Sequence, residues 1–242
     1  MSVIAVYSVK GGVGKTTIAA NLAWHAATIS CRRTLLWDLD PAGGAAFLLG
    51  ITPQNVRPGA GSVFADGDPE RLIVGTPYDR LDILPADETM RDLDKVLATI
   101  GKRKRLARIA DTLARRYERI ILDCPPVLGE VSAQVLRAAD MVVLPLPPSP
   151  LSTRAQALVE AAIRHDTKRA PPVLPVLSML DRRRSLHRDV AAAHPDWPVI
   201  PLASAVEQCA VLQQPVGAFA PGSAGAKGFG QLWARIEHDL AQ

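Results

Sequence analysis

The stretch Lys10-Gly11-Gly12-Val13-Gly14-Lys15-Thr16-Thr17 carries the residue types that hold phosphate. Glycines let consecutive backbone N–H groups close around phosphate oxygens, Lys15 brings a full positive charge, and the Thr16 hydroxyl is placed to ligate Mg²⁺. Two acidic segments offer complementary chemistry. Asp38-Leu39-Asp40-Pro41 and Asp123-Cys124-Pro125-Pro126 each follow an apolar run. Carboxylates at strand ends beside a phosphate loop can hold Mg²⁺ through water and orient an attacking water. An isolated Asp after a strand is more often a cap or turn former, but two such segments together with the loop favour the chemical reading. The usual loop pattern has glycine where this chain has Val9, and Lys10 is an addition at the loop's start.

Positioning these groups requires a strand before the loop and a helix after it. Val3-Ile4-Ala5-Val6-Tyr7 supplies the first and Ile18-Ala19-Ala20-Asn21-Leu22-Ala23 the second. Further strand-like runs are Thr34-Leu35-Leu36-Trp37, Leu81-Asp82-Ile83-Leu84, Arg119-Ile120-Ile121-Leu122, Met141-Val142-Val143-Leu144, Val173-Leu174-Pro175-Val176-Leu177 and Val199-Ile200. Helix-period segments lie between them, which predicts an α/β fold: a doubly wound, mostly parallel sheet with helices on both faces, residues 1–242 forming a single domain. Ligands of such sheets sit beyond the carboxyl ends of the strands, where both acidic segments fall. Pro175 weakens its run or makes it an edge. Residues 52–69, rich in Gly, Pro and polar residues, read as a surface loop without assigned chemistry.

Composition narrows the function classes. The 242 residues are 48% hydrophobic, enough for a full core, and the formal net charge of +4 mildly favours polyanionic partners. Cys31, Cys124 and Cys209 lack disulfide-framework or zinc-ligand spacing and fit a reducing cytoplasm. No apolar run approaches the roughly 18 residues of a membrane span.

The densest basic surface is predicted at Lys102, Arg103, Lys104 and Arg105, continuing to Arg108, Arg115 and Arg116. Leu106, Ile109, Leu113 and Tyr117 recur at helical spacing as the side that docks. A second cluster is Arg182-Arg183-Arg184 with Arg188. Both suit phosphates of double-stranded DNA without base reading, and both equally suit ordinary solvated surface. Near the end, Phe229, Leu232, Trp233, Ile236 and Leu240 share one face. With Arg235 facing Glu237 and Asp239, that face reads as docking on the protein's own sheet rather than as a membrane anchor.

Lys10 ahead of paired glycines, the Asp-x-Asp-Pro segment at Asp38 and the Ile-Ile-Leu-Asp-x-Pro-Pro segment ending in Asp123-Cys124-Pro125-Pro126 together resemble the ParA/MinD family of ATPases with a deviant Walker A loop. The resemblance implies ATP and Mg²⁺ as ligands, with Gly11, Gly12, Val13 and Gly14 wrapping the phosphates. Lys15 would bind the β- and γ-phosphates, Thr16 the Mg²⁺, and Thr17 the α-phosphate. Asp40 would position the water, with Asp38 and Asp123 supporting the metal. Lys10 would reach the nucleotide of a partner copy in an ATP-dependent sandwich homodimer. It further implies slow hydrolysis stimulated by a ParB-like or other cargo adaptor, and non-specific DNA binding that makes a cytoplasmic protein nucleoid-associated when ATP-bound. The chain departs from the family in having Ala42-Gly43-Gly44 where Gln is common, and Leu202-Ala203-Ser204-Ala205-Val206 where arginines are frequent. A MinD-type membrane-associated regulator, an iron–sulfur carrier and a metabolic enzyme of the dethiobiotin synthetase kind share the loop. They would be marked respectively by an anchoring tail, by paired interfacial cysteines and by metabolite-dependent turnover.

Overall fold

A computed structural model of the chain describes residues 1–52, 60–65, 68–100, 104–167 and 169–242. The strands are β1 (Ser2–Val6), β2 (Thr34–Asp38), β3 (Val74–Gly75), β4 (Leu81–Leu84), β5 (Arg119–Asp123), β6 (Met141–Leu146), β7 (Val173–Leu180) and β8 (Val199–Pro201). They form an eight-stranded sheet in the order β3-β4-β2-β5-β1-β6-β7-β8, parallel throughout except where β3 meets β4. The helices are α1 (Lys15–Trp24), α2 (Gly44–Leu48), α3 (Leu93–Ile100), α4 (Arg105–Leu113), α5 (Glu130–Ala138), α6 (Pro150–Asp166), α7 (Ser185–Ala193), α8 (Ser204–Leu212), α9 (Val216–Phe219) and α10 (Ala224–Leu240). The expected doubly wound α/β fold is the one observed.

Near-continuous apolar runs form the central strands because both faces are covered. On one face Leu97, Leu106, Ile109, Val135 and Ile163 from α3 to α6 meet Leu35, Trp37, Ile120 and Val142. On the other, Ile18 and Leu22 of α1 and Phe229 and Leu232 of α10 meet Ile4, Leu36, Ile121 and Val143. Phe229, Leu232 and Ile236 are fully buried and Trp233 nearly so. At about 1.5–3 kcal/mol for each such side chain, freeing that stripe for a membrane would cost more than a weak surface anchor returns. Among the described residues no helix is long and apolar enough to cross a membrane.

Two expectations need correction. β7 is an interior strand despite Pro175, which pairs with Leu144 of β6. Its other neighbour, β8, joins only from Leu177 onward, so the missing N–H falls where no ladder is lost on that side. Residues 52–69 are not wholly loop. Residues 53–59 and 66–67 lie outside the described residues, but Val63 and Phe64 are buried, and Phe64 stacks on Trp37 with centroids 5.7 Å apart. Two adjacent apolar residues in a Gly/Pro-rich stretch served as its anchor to the core.

Candidate functional site

β1 lies mid-sheet, with β5 on one side and β6 on the other, so connections leave it in both directions and open a crevice at its carboxyl end. The glycine-rich turn emerges there. Gly12 and Gly14 adopt φ of +69° and +90°, a left-handed backbone that suits glycine, and Gly14 caps α1. α1 therefore begins at Lys15, its N-terminal dipole facing the crevice. Gly11 and Gly12 are exposed, Val13 is buried and Thr16 and Thr17 are half-buried. Lys15 is 6% exposed, and its ammonium donates to the Lys10 carbonyl at 3.1 Å, closing the turn on itself. Burial lowers the pKa of Lys15, while the charges of Asp123 and Asp40 oppose that shift.

The acidic segments arrive by register. Asp38 ends β2 and Asp123 ends β5; they are paired neighbours, and Asp123 is also the partner of Val6 in β1. Both are fully buried. Asp38 is committed to backbone, Oδ1 accepting the Asp40 N–H at 3.0 Å and Oδ2 the Ala45 N–H at 3.1 Å. Neither carboxylate oxygen of Asp123 has a hydrogen-bond partner; the Thr16 hydroxyl is near enough to favour its charged form without completing one. Asp40 is half-buried and turns the chain through its Oδ1, which accepts the Ala42 N–H at 3.0 Å. Gly43 follows at φ +65°, and a Cβ on Gly44 would sit 3.2 Å from the Thr16 methyl. That approach favours glycine at position 44.

A buried, unpartnered carboxylate beside a hydroxyl and an ammonium fits a hard cation with oxygen ligands. Among the described residues no cluster of three His, Cys, Asp or Glu side chains would hold a metal unaided. A cation here would share its ligands with phosphate oxygens.

Burial pushes the Asp123 carboxyl up to about 7, with Asp40 adding to the rise and Thr16 and Lys15 opposing it. Burial and then Asp123 push Asp38 up as well. Both folded-state values lie above the roughly 3.9 of an unfolded Asp, so folding favours the neutral carboxyls. That contribution to stability is complete below about pH 4 and is lost as pH rises through about 7. The melting temperature of the nucleotide-free protein is expected to fall by several degrees from pH 5 to pH 8, read by scanning fluorimetry. His25, whose pKa burial lowers, opposes that fall up to about pH 6.5, so a rising profile is the result that contradicts the buried acidic pair.

Beyond the turn, Gly14, Thr17, Ser178, Met179, Leu202 and Val206 help to line a cavity of about 160 Å³. The Ser178 hydroxyl is buried there without a partner. Sequence reading missed this residue, although a hydroxyl within the apolar run of β7 was the available signal.

The basic clusters are less uniform than the sequence suggests. Lys102 and Arg103 lie outside the described residues. Lys104 is exposed before α4, but Arg105 is half-buried and donates to the Val63 carbonyl rather than pointing outward. Leu106, Ile109, Leu113 and Tyr117 are buried as expected, and Arg116 pairs with Asp82 at 2.9 Å. Arg182, Arg183 and Arg184 are exposed after β7, with Arg183 held by both oxygens of Asp181 at 2.9 and 3.0 Å. β7 stands three places across the sheet from β5, the strand into which α4 leads, so the clusters enter from different flanks.

Comparison with known proteins adds a family match, two relatives and a solved structure. A family model described as an AAA domain matches residues 1–170. The sporulation initiation inhibitor protein Soj of Bacillus subtilis is 37% identical over 146 residues, covering 60% of this chain and 57% of that protein. The chromosome partitioning protein ParA of Caulobacter vibrioides is 32% identical over 199 residues, covering 79% of this chain and 74% of that one. The match thus spans little more than half of Soj. Among solved structures, cobyrinic acid a,c-diamide synthase from Mycobacterium smegmatis with bound ATP analog and magnesium superimposes with a TM-score of 0.81 at 28% identity, covering 98% of this chain and 94% of that one.

Proposed function

Because the chain belongs to the AAA-domain family of P-loop ATPases that includes the ParA and MinD proteins, we propose that residues 1–242 act as one Mg-ATPase domain. Two ATP-bound copies form a sandwich dimer that holds DNA non-specifically and positions a cargo in the cytoplasm. The observation that carries the reading is the unpartnered, buried Asp123 set beside Thr16 and Lys15 under a left-handed glycine turn.

In this mechanism the backbone N–H groups of residues 11–16 bind the phosphates and Lys15 leaves the Lys10 carbonyl to reach the β- and γ-oxygens. Thr17 faces the α-phosphate, and the base enters the cavity lined by Ser178 and Met179. Thr16 and Asp123 would hold magnesium, Asp38 fixing the loop behind them; when bound, the ion offsets charge on the phosphate oxygens. Asp40 orients the attacking water. Lys10 of each copy reaches the other's nucleotide and stabilises charge that develops in the transition state, a role worth about 10³–10⁵ in rate where such cationic groups have been measured. Among the described residues the site offers no strong general base, so turnover is slow until an adaptor protein completes it.

The test is ATP turnover with and without double-stranded DNA at two salt concentrations. DNA retention should be steeply salt-dependent, and each phosphate contact removed should lower the log–log slope by about 0.9. Neutralising Lys102, Arg103, Lys104 and Arg105 together, or Arg182 with Arg184, is expected to flatten the dependence. Arg183→Ala alone should do less, its charge being already matched by Asp181. Unchanged DNA retention in both multiple variants would remove these surfaces from the proposal. The near-full-length likeness to a synthase favours a second reading, ATP-driven chemistry on a small-molecule acid. Turnover that requires such a substrate and ignores DNA would select it.

A further inference from the structure

Tyr7 follows the last residue of β1 and precedes the phosphate-binding turn. It is fully buried, its backbone N–H donating to the Val143 carbonyl at 3.0 Å and its hydroxyl to the Val127 carbonyl at 2.9 Å. Val127 belongs to the loop that leaves Asp123 for α5. The two ends of that loop are fixed by other means. The Cys124 N–H reaches the Val6 carbonyl at 3.4 Å; at the far end Gly129 exchanges hydrogen bonds with the Ser132 hydroxyl at 2.9 and 2.8 Å, and the Val131 N–H meets Asp94 at 2.8 Å. Between them Pro125 and Pro126 have no N–H to give. Among the described residues, the bond from Tyr7 is the one hydrogen bond to the backbone of residues 125–128. Meanwhile Val127 and Leu128 are 40% and 54% exposed, so side-chain burial does little to hold the middle of the loop.

We propose that Tyr7 is a positioning residue: its hydroxyl ties the loop after Asp123 to the root of the phosphate-binding turn, so that Asp123, Thr16 and Lys15 keep a fixed relation through the catalytic cycle. A phenylalanine would fill the same apolar space, so the buried hydroxyl is explained by its partner and not by packing. Burial also pushes the phenol up to about 12. The proposal rests on the ATPase reading for its kinetic consequence but not for its structural one.

The test compares Tyr7→Phe with Tyr117→Phe. Tyr117 also donates a buried hydroxyl bond, to Asp82 at 2.6 Å, at the opposite end of the sheet. Tyr7→Phe is expected to lower turnover about tenfold while the Mg-ATP dissociation constant moves less than threefold. The backbone carbonyl ¹³C resonance of Val127, the acceptor of the bond, should move upfield, with β1 amide resonances unaffected. Tyr117→Phe should lower the melting temperature alone. If both variants merely lose stability, with turnover and the Val127 carbonyl resonance unchanged, Tyr7 is a packing residue and the proposal is overturned. The resonance is read on the wild type too, where it must lie downfield as an accepted hydrogen bond requires; a free-peptide position there also overturns it. Absence of ATP turnover in the wild type would instead sink the ATPase reading, leaving the carbonyl comparison to judge the tie.

Discussion

Lys15→Ala is expected to weaken Mg-ATP binding by about 10²–10⁴-fold. The ammonium is buried under the glycine turn with a carbonyl as its hydrogen-bond partner, so a triphosphate finds it already desolvated and need only draw it from that carbonyl. Two charge-assisted bonds to phosphate at about 1.5–3 kcal/mol each give that range. Burial already penalises the charged form of Lys15, so its removal costs the empty protein little and the variant should fold. Isothermal titration with a non-hydrolysable analogue reads the effect. Affinity within threefold of the wild type would show that phosphates are held elsewhere and would undo the mechanism at its first step.

The second large effect is expected at Asp40. Its carboxylate closes a tight turn on the Ala42 N–H and sits near enough to Lys15 to oppose the fall in that residue's pKa, which places it at the phosphate end without burying it. Asp40→Ala should leave nucleotide binding nearly intact while cutting turnover by about 10²-fold or more, the cost of an attacking water no longer held in line. An ATP-bound dimer should therefore accumulate, visible as a doubled mass by light scattering in excess ATP and Mg²⁺. A variant that stays monomeric with ATP bound would break the link between the site and dimerisation.

Much of this arrangement was legible from residue order. Strand-period apolar runs separated by helical segments specify a doubly wound sheet, and a strand, three glycines and a lysine specify the turn, because few other sequences can reverse the chain there with φ above zero. Placing Asp38 and Asp123 at strand ends required only the carboxyl-end rule for such sheets. Their adjacency did not follow from spacing, since it depends on β5 inserting between β2 and β1, a long-range choice made by the core. For the same reason Arg183, which looks like a free cation in sequence, is spent on Asp181, and Arg105 on the Val63 carbonyl. The close approach of the Thr16 methyl, 3.2 Å from where a Cβ on Gly44 would be, is likewise a tertiary contact that joins two distant stretches of sequence. Side-chain partners of this kind are set by tertiary contacts that no local period encodes.

The two margins of the sheet carry a last consequence. On one side stands an antiparallel strand of two residues, on the other a strand of three ending in Pro201, and where that short strand falls away Pro175 interrupts the donors left uncovered. Neither rim offers the long row of open amides onto which a neighbouring chain could extend the ladder. Among the described residues the sheet thus lacks the edge along which copies of this protein would stack side to side into fibrils.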